Sequence, residues 1–464
     1  MDKRRELIAA GLITIVMAAG LGWEVSSESV SAPDLGATDG DLINQRALFC
    51  PPLPGDTEGS ETLTTWSSTG EDAALSIGDS DEGAVELGQD RIRVDKVDGA
   101  GPVNIVGSGA PLLADVAMSF TKPYEAVGAA QCSAKADTEW YFPEGSSEVG
   151  FKERLLIYNP FPDEAVVRIT FFTYQGTEAK AQFAKIPVPS GEAVQARVNK
   201  AITQRKALAT TISAVRGRVV AWKMLFSKTE DRPNGVEFSL GQTETSTRLF
   251  FPLGRVDEGS DERITILNPN DENAVVTATF MTKDGVFQPN QYVEMTIRPN
   301  ATKVLALGDL SGKKAPPVGP LSAKIESVND VGVIAEESVV YGSAGFEGVA
   351  SEFGMGETAT SWWVGPAAVS NVSQDALVVL SLGPKAAHLS VTLLSQDRAP
   401  VSPKELQDVE VGAGKRAQIM LPDIEGGPFV VRVDSDQPIV VARIAQAGGD
   451  IGLVAGLPVT PTEP

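Results

Sequence analysis

Side chains able to do acid-base or nucleophilic chemistry are scarce in this chain, apart from carboxylates. His388 is the single histidine among 464 residues. Its neighbours Leu389 and Val391 are apolar, so strand alternation places His388 on the opposite, exposed face. A Ser-His-Asp triad needs partners that no motif locates, and residues 107–109 lack the spacing of a nucleophile elbow. We therefore predict an idle surface histidine and no nucleophilic centre.

The carboxylates are too numerous to mark a site. Two of them alone can hydrolyse a glycosidic bond, so the 61 acidic residues leave a carboxylate-based hydrolase as a remote alternative. No phosphate-binding loop and no dinucleotide fingerprint occurs. The acidic run at residues 79–83 departs from the helix-loop-helix calcium pattern after its glycine, which favours a solvated loop. We predict that the protein is not an enzyme and uses no metal or cofactor.

The two cysteines, Cys50 and Cys132, bracket the first of the modules described below. In an oxidising compartment such a pair most simply forms a disulfide. Two sulfurs without a nearby histidine do not make a closed zinc site. A reactive thiol remains the alternative to the disulfide.

Two pairs of aromatic residues could bind sugars, because flat aromatic faces stack on the apolar faces of sugar rings. They are Trp140 with Tyr141, and Trp362 with Trp363. The other interpretation is that they pack the edge of the core or the seam between adjacent modules, where large aromatics bury most surface. Their position at module boundaries favours the seam.

These aromatics belong to an element that recurs four times, an aromatic or apolar cluster usually closed by proline. The copies begin at Leu48, Trp140, Leu249 and Trp362. A chain this long exceeds one hydrophobic core, and the copies divide it into four modules. The predicted boundaries are 47–136 for a divergent module with the disulfide, followed by 137–245, 246–358 and 359–464. We expect the modules to form a rod or bent chain.

Alternation of apolar and polar residues predicts that these modules are β-sandwiches. The second and third modules share the stretches 165–176 and 274–285, in which every second residue is apolar over much of the length. One face of such a strand is core and the other is solvent, and the many Gly and Pro residues suit turns. Between modules, Gly235-Val236 and Gly348-Val349 recur at a shared distance before a second glycine, so the linkers are part of the repeat.

The N-terminus has the pattern of a membrane-targeting segment. Basic residues at positions 3–5 precede an apolar run from Leu7 to Trp23, which is about long enough to cross a bilayer. We predict a signal-anchor helix at 1–25, a polar tether at 26–46, a cytoplasmic N-terminus and an extracytoplasmic remainder. Cleavage near Val30-Ser31-Ala32, which would release a secreted protein, and a buried core helix are the alternatives.

Several of these stretches together resemble a repeat of actinobacterial cell-surface proteins. They are the opener at 140–145, the strand and turn at 153–160, the strand ending at Gly176 and a closing hairpin. The whole chain resembles an uncharacterised family of membrane-anchored secreted proteins of those bacteria. The resemblance implies tandem immunoglobulin-like β-sandwich modules outside the membrane, and it implies no known activity.

The functional prediction follows from location and charge. A net charge of −22 repels phosphate backbones, so nucleic acid is not an expected partner. We predict a non-catalytic, membrane-anchored cell-envelope protein that acts as an extracytoplasmic scaffold or protein-interaction module. The alternative is a glycan-binding or cell-wall-binding array that uses exposed aromatics. The expected partners are the cytoplasmic membrane, through the N-terminal helix, and envelope proteins or cell-wall glycans.

Overall fold

Alternating apolar and polar residues form the strands of this protein. In the computed structural model, Val167, Ile169 and Phe171 are buried, whereas Arg168 between them is exposed. A strand with one buried face must pack against another layer. Among the described residues, every regular element is a strand or a short 3-10 helix, and the predicted all-β fold is confirmed.

The structure describes residues 46–78, 84–97, 101–173, 176–230, 233–282, 285–308, 318–343, 345–423 and 427–459. The predicted signal-anchor helix, nearly all of the tether and the acidic run at 79–83 lie outside these ranges. Within these ranges, no helix is long and apolar enough to cross a membrane.

The first two modules contain these elements in chain order. Module 1 has β1 (Arg46–Cys50), β2 (Glu58–Ser67), β3 (Ala73–Ile77), β4 (Val85–Leu87), β5 (Ile92–Val97), β6 (Val103–Gly109), β7 (Leu112–Lys122) and β8 (Ala126–Gln131). Module 2 has β9 (Glu139–Phe142), β10 (Phe151–Tyr158), β11 (Ala165–Thr173), β12 (Gly176–Ala179), a 3-10 helix (Ala181–Phe183), β13 (Ile186–Val188), β14 (Ala193–Arg197), a 3-10 helix (Val198–Lys200), β15 (Ala209–Arg216), β16 (Val220–Ser227) and β17 (Gly235–Leu240).

The last two modules continue the series. Module 3 has β18 (Arg248–Val256), β19 (Asp261–Asn268), β20 (Ala274–Thr282), β21 (Gly285–Phe287), a 3-10 helix (Asn290–Tyr292), β22 (Met295–Ile297), β23 (Ala301–Ala306), β24 (Gly319–Ser327), β25 (Ile334–Ser343) and β26 (Phe346–Phe353). Module 4 has β27 (Ala359–Val364), β28 (Val372–Ser381), β29 (Ala387–Ser395), a 3-10 helix (Lys404–Leu406), β30 (Gln407–Val411), β31 (Arg416–Met420), β32 (Phe429–Ala447), β33 (Asp450–Ala455) and β34 (Leu457–Pro458).

Modules 1 to 3 are each built from two antiparallel sheets with the same strand order. In module 1 the orders are β1-β6-β3-β4 and β5-β2-β7-β8. The corresponding sheets are β9-β15-β11-β12 and β14-β10-β16-β17 in module 2, and β18-β24-β20-β21 and β23-β19-β25-β26 in module 3. In module 4 the long strand β32 belongs to both layers, because its first part pairs with β29 and its second part with β28 and β33.

These open sheets are consistent with the predicted β-sandwich, but their strand order is not that of an immunoglobulin domain. In that fold the first two strands lie side by side in one sheet. Here β1 pairs with β6, and β2 pairs with β5 and β7 in the other sheet. The immunoglobulin-like arrangement implied by the resemblance is therefore not the one observed.

The predicted disulfide between Cys50 and Cys132 is confirmed. Cys50 ends β1 in one sheet of module 1, and Cys132 follows β8 at the edge of the other sheet. Both cysteines are buried. The bond therefore ties the two layers of module 1 together where the chain enters and leaves the module.

The four modules close a ring, so the expected rod or bent chain is wrong. The last strands of the sandwich layers, β8, β17, β26 and β33, pack against one another in cyclic order, and we call them the axial strands. Module 4 returns to module 1: Gln131 Nε2 donates to Ala455 O at 2.9 Å, and Trp363 Nε1 donates to Ser68 O at 2.7 Å. We call the contact between two modules that are neighbours in the ring, modules 4 and 1 included, a seam.

Candidate functional site

Each axial strand is the edge of its sheet and turns unpaired backbone groups towards the ring axis. At the end of β17, Gly241 N donates to Ala221 O of β16, and Gly354 N after β26 donates to Ala335 O of β25. In an antiparallel pair, the N–H groups of alternate residues point towards the partner strand. Val236 and Val349 lie five positions before Gly241 and Gly354, which is an odd number. Their N–H groups therefore point to the free edge.

Asp450 receives these free N–H groups at the centre of the ring. Its Oδ2 accepts hydrogen bonds from Val127 N and Val236 N, both at 3.2 Å, and its Oδ1 accepts one from Val349 N at 3.1 Å. The donors come from modules 1, 2 and 3, and Asp450 belongs to module 4. One carboxylate with 1% exposure thus connects all four modules.

Only small residues occupy the position of Asp450 in the other three axial strands. They are Ala126, Gly235 and Gly348. A Cβ atom added to Gly235 or to Gly348 would lie 2.4 Å from Asp450 Oδ1, which no side chain could tolerate without movement. The axis therefore has room for one carboxylate, and the three small residues provide that room.

Burial raises the pKa of Asp450 to about 8, although its hydrogen bonds from backbone N–H groups oppose that shift. Exposed sheet edges can pair with other chains, and proteins protect them. Asp450 lies on the edge strand β33 and accepts hydrogen bonds from the edge strands β8, β17 and β26, so it protects these edges where they meet. This arrangement fits a structural role, because both oxygens are already engaged.

A cavity of about 240 Å³ opens at the far end of the axial strands, and we call it the axial cavity. All four modules contribute to its wall. The apolar side chains include Phe238 and Leu453, and Gln242 and Glu357 lie at its exposed rim. The buried Ser351 Oγ has no hydrogen-bond partner among the described residues. The cavity could hold a small group with both apolar and hydrogen-bonding surface.

A carboxyl recurs in the second strand of every module, and it is buried in modules 1 to 3 and half-buried in module 4. The four acids are Glu61, Glu153, Glu262 and Asp375. The strand register shows that they occupy equivalent positions, because their cross-strand partners are, in the same order, Met118, Leu225, Val339 and Ala445. The sequence carried a signal for two of them, since Glu153-Arg154 and Glu262-Arg263 open matching strands, and a charge next to a buried run is unusual.

The partners of the recurring acids differ between modules. Asp375 accepts hydrogen bonds from Arg443 at 2.9 and 2.6 Å. Burial raises the pKa of Glu153 to about 8, against the opposing charge of Lys223. Burial alone raises the pKa of Glu61 to about 8, and neither of its carboxyl oxygens has a hydrogen-bond partner among the described residues.

A buried ion pair connects modules 2 and 3. Lys223 Nζ lies 2.8 Å from both carboxyl oxygens of Glu336, and both side chains are 0% exposed. Lys223 also donates to Glu144 O at 2.6 Å, and Ser239 Oγ donates to Glu336 Oε1 at 3.1 Å. The pair is surrounded by hydrogen bonds, as a buried charge requires.

The predicted sugar-stacking residues do not form an exposed platform. Trp140, Trp362 and Trp363 are each 1% exposed, and Tyr141 is half-buried. Trp363 packs with Trp66 of module 1 at the seam between modules 4 and 1. The glycan-stacking prediction is wrong for the three tryptophans, because their faces are covered by the protein. Packing, the other interpretation, accounts for their position.

His388 is exposed, as predicted, and its Nδ1 lies 2.8 Å from Asp408 Oδ1. Among the residues that the structure describes, no group of three or more His, Cys, Asp or Glu side chains could hold a metal ion. The sequence interpretation missed Asp450. The recurring Gly-Val pairs were its only signal, since they align with Asp450-Ile451.

Comparison with known proteins gives a family but no activity. A model described as a family of unknown function, DUF5719, matches residues 106–360, which is more than half of the chain. No curated protein matches. A solved structure titled "Crystal Structure of Thermotoga maritima 1070" is 24% identical over 25% of this chain and 97% of its own, with a TM-score of 0.19. A superposition this poor supports no conclusion.

Proposed function

This chain belongs to DUF5719, a family of unknown function, and we propose that it is a non-catalytic interaction protein built as a closed ring. The observation that carries the proposal is the position of Asp450. Its hydrogen bonds to modules 1, 2 and 3 hold four sandwiches in one arrangement. A ring held at its centre is a rigid scaffold on which a partner can dock.

The buried acids support a scaffold rather than a hydrolase. A glycoside hydrolase needs two carboxyls that face the substrate from an open site. Glu336 is 0% exposed and binds Lys223 across a seam, and Asp450 is covered by backbone donors. In these places the carboxyls hold modules together.

The partner is proposed to bind at the axial cavity, because this surface exists only when the ring is closed. Its wall combines apolar residues such as Phe238 and Met355 with the rim residues Gln242 and Glu357. Interfaces commonly combine an apolar centre with a polar rim. We take the partner to be an envelope protein that inserts a small apolar segment.

The proposed location is the outer face of the cytoplasmic membrane, with the N-terminal segment as the anchor. The Cys50–Cys132 disulfide supports an oxidising compartment, since disulfides are rare in the cytosol. The basic and then apolar N-terminus supports the orientation. Protease added to intact cells should digest a tag placed after the last module. Protection of that tag in intact cells, with digestion after lysis, would contradict the location.

Site-specific photo-crosslinking in intact cells tests the proposed docking surface. A photo-reactive amino acid at Gln242 or Glu357 should capture a protein partner, and the same amino acid at the exposed His388 is the matched control. The expected result is an adduct from the rim positions that is absent from the control and lost in Asp450→Ala. Equal labelling at all three positions, or none at the rim, would reject the cavity as the docking surface.

A further inference from the structure

Three glutamates of module 3 form a buried cluster on adjacent strands. Glu337 on β25 is directly opposite Glu352 on β26, and it is the diagonal neighbour of Glu262 on β19, whose partner is Val339. Their exposures are 0% for Glu262 and Glu337 and 3% for Glu352. We call these three residues the glutamate cluster.

The contacts within the glutamate cluster require protons. None of the six carboxyl oxygens has a donor among the described residues, and the Glu337 carboxyl lies within hydrogen-bonding reach of the carboxyls of Glu262 and Glu352. An ionised carboxylate has no hydrogen to donate. Two of the three carboxyls must therefore be protonated for both contacts to be hydrogen bonds.

The charges around the glutamate cluster fit this assignment. Arg416 on β31 of module 4 faces it across the seam, and its Nε donates to Pro252 O of module 3 at 2.8 Å. One ionised Glu337 balances this guanidinium. The remaining titratable or charged groups near the glutamate cluster are Arg255, which pairs with Asp257, and Asp261 and Tyr341.

Burial decides where the protons reside. Loss of water contact raises the pKa of Glu262 and of Glu352 well above the usual range, and the neighbouring Glu337 raises both further. Burial also raises the pKa of Glu337, but the hydrogen bonds from its two neighbours and the charge of Arg416 oppose the rise. The charge is best placed on Glu337, because this residue lies between the other two and, when ionised, can accept from both, so the protons belong to Glu262 and Glu352.

The seam between modules 2 and 3 is closed in a different way. There the buried contact is the ion pair of Lys223 with Glu336, which is formed by charged groups and needs no shared proton. Glu144 and Glu153 lie beside this ion pair, and burial raises their pKa values to about 7 and about 8. Deprotonation at that seam places negative charge beside the cation Lys223, whereas in the glutamate cluster it places like charges beside one another.

We propose that the seam between modules 3 and 4 is a proton latch, which is closed while Glu262 and Glu352 are protonated and loosens when they lose their protons. Loss of either proton places a second negative charge beside Glu337 in a dry site. Glu352 also lines the axial cavity, so loosening this seam opens the wall of that cavity.

Hydrogen exchange of the full-length protein between pH 6 and pH 9 tests the latch. After correction for intrinsic exchange, amides of β26 and β31 should lose protection as pH rises, by up to about tenfold per pH unit for each proton lost. Amides of β20 and β24, which pair in the other sheet of module 3, should keep theirs. A common pH profile for both sets of amides would overturn the latch without any variant being needed.

Substitutions give the second arm of the test. Gln can still donate a hydrogen bond but cannot ionise, so Glu262→Gln combined with Glu352→Gln should keep β26 and β31 protected up to pH 9. Glu153→Gln changes the equivalent acid of module 2 and should leave the pH response of these strands unchanged. Glu337→Gln removes the counter-charge of Arg416 and should loosen the seam at every pH. A wild-type pH response in the double variant would overturn the proposal.

Discussion

Asp450 accepts a hydrogen bond from the backbone N–H of Val127, although 323 residues separate them in the chain. The contact exists because module 4 returns to module 1 and brings four sheet edges to one axis. Local sequence patterns specify each sandwich, but this contact depends on the closure of all four. It is therefore a sensitive point at which to test the ring.

Removing the axial carboxylate should destabilise the whole ring. In Asp450→Ala, three N–H groups from other modules lose their acceptor in a buried site, at a cost of about 1–3 kcal/mol each. We expect a fall of at least about 3 kcal/mol in the free energy of unfolding, measured by denaturant titration. The exposed Asp397→Ala is the control and should change it by less than about 0.5 kcal/mol. Equal stability of the two variants would mean that Asp450 does not hold the ring.

A methyl group at Gly235 should clash sterically with the carboxylate of Asp450. The added Cβ would lie 2.4 Å from Asp450 Oδ1 and 2.5 Å from Val349 Cγ2, and we expect Gly235→Ala to cost about 1–3 kcal/mol. Because one of the two clashes involves Asp450, Gly235→Ala should cost less when Asp450→Ala is already present. The coupling energy from this double-mutant cycle is the measurement. Strict additivity would contradict the geometry of the axis.

The sequence predicted features that depend on neighbours in the chain. Alternation around Val167 and Ile169 predicted a strand with one buried face, because side chains of a strand alternate by geometry. The position of the aromatic openers predicted packing at module boundaries, and Trp363 lies at such a seam. Ring closure was not predictable in this way, since nothing local distinguishes a ring from a rod.

The buried charges illustrate the same limit. Glu153 stood in the strand and turn that carried the resemblance, but only the strand register shows that Glu153 and its counterpart Glu262 face the interior. Lys223 and Glu336 are 113 residues apart, and no local pattern pairs them. Because the chain has 61 acidic residues, composition could not select the few that are buried.

Glu61 should make the protein less stable as pH rises. Burial raises its folded-state pKa from 4.5 to about 8, so between these values the folded state binds a proton that the unfolded state has lost. Stability from this group is present below pH 4.5 and falls by up to about 1.4 kcal/mol per pH unit up to pH 8. Glu61→Gln should therefore stabilise the protein at pH 8 and reduce the slope, measured by denaturant unfolding from pH 5 to 8.5. The exposed Glu86→Gln should leave the slope unchanged.

Reduction of the disulfide should weaken the first module most. The link between Cys50 and Cys132 closes a long loop, and its loss typically costs about 2–5 kcal/mol. The double substitution of both cysteines by Ala should lower the unfolding midpoint and increase hydrogen exchange in β1 and β8 before other strands. If exchange increased equally in β20 of module 3, the disulfide would be stabilising the ring as a whole instead of module 1.

Substitutions at the buried ion pair between modules 2 and 3 distinguish two quantities. One is the destabilisation caused by removing a single partner, and the other is the net contribution of the whole pair to stability. Lys223→Met leaves Glu336 buried without its cation, which should cost about 3–5 kcal/mol. Adding Glu336→Leu removes the unpaired buried charge, so the double variant should recover most of that loss. It could reach wild-type stability, because folding an apolar pair of similar volume does not require the desolvation of two charges. Denaturant unfolding of the three proteins gives the comparison, with Lys135→Met at an exposed salt bridge as the control. Should the double variant be less stable than Lys223→Met alone, the hydrogen bonds of Glu336 to Ser239 and Glu144 would be the larger contribution to this seam.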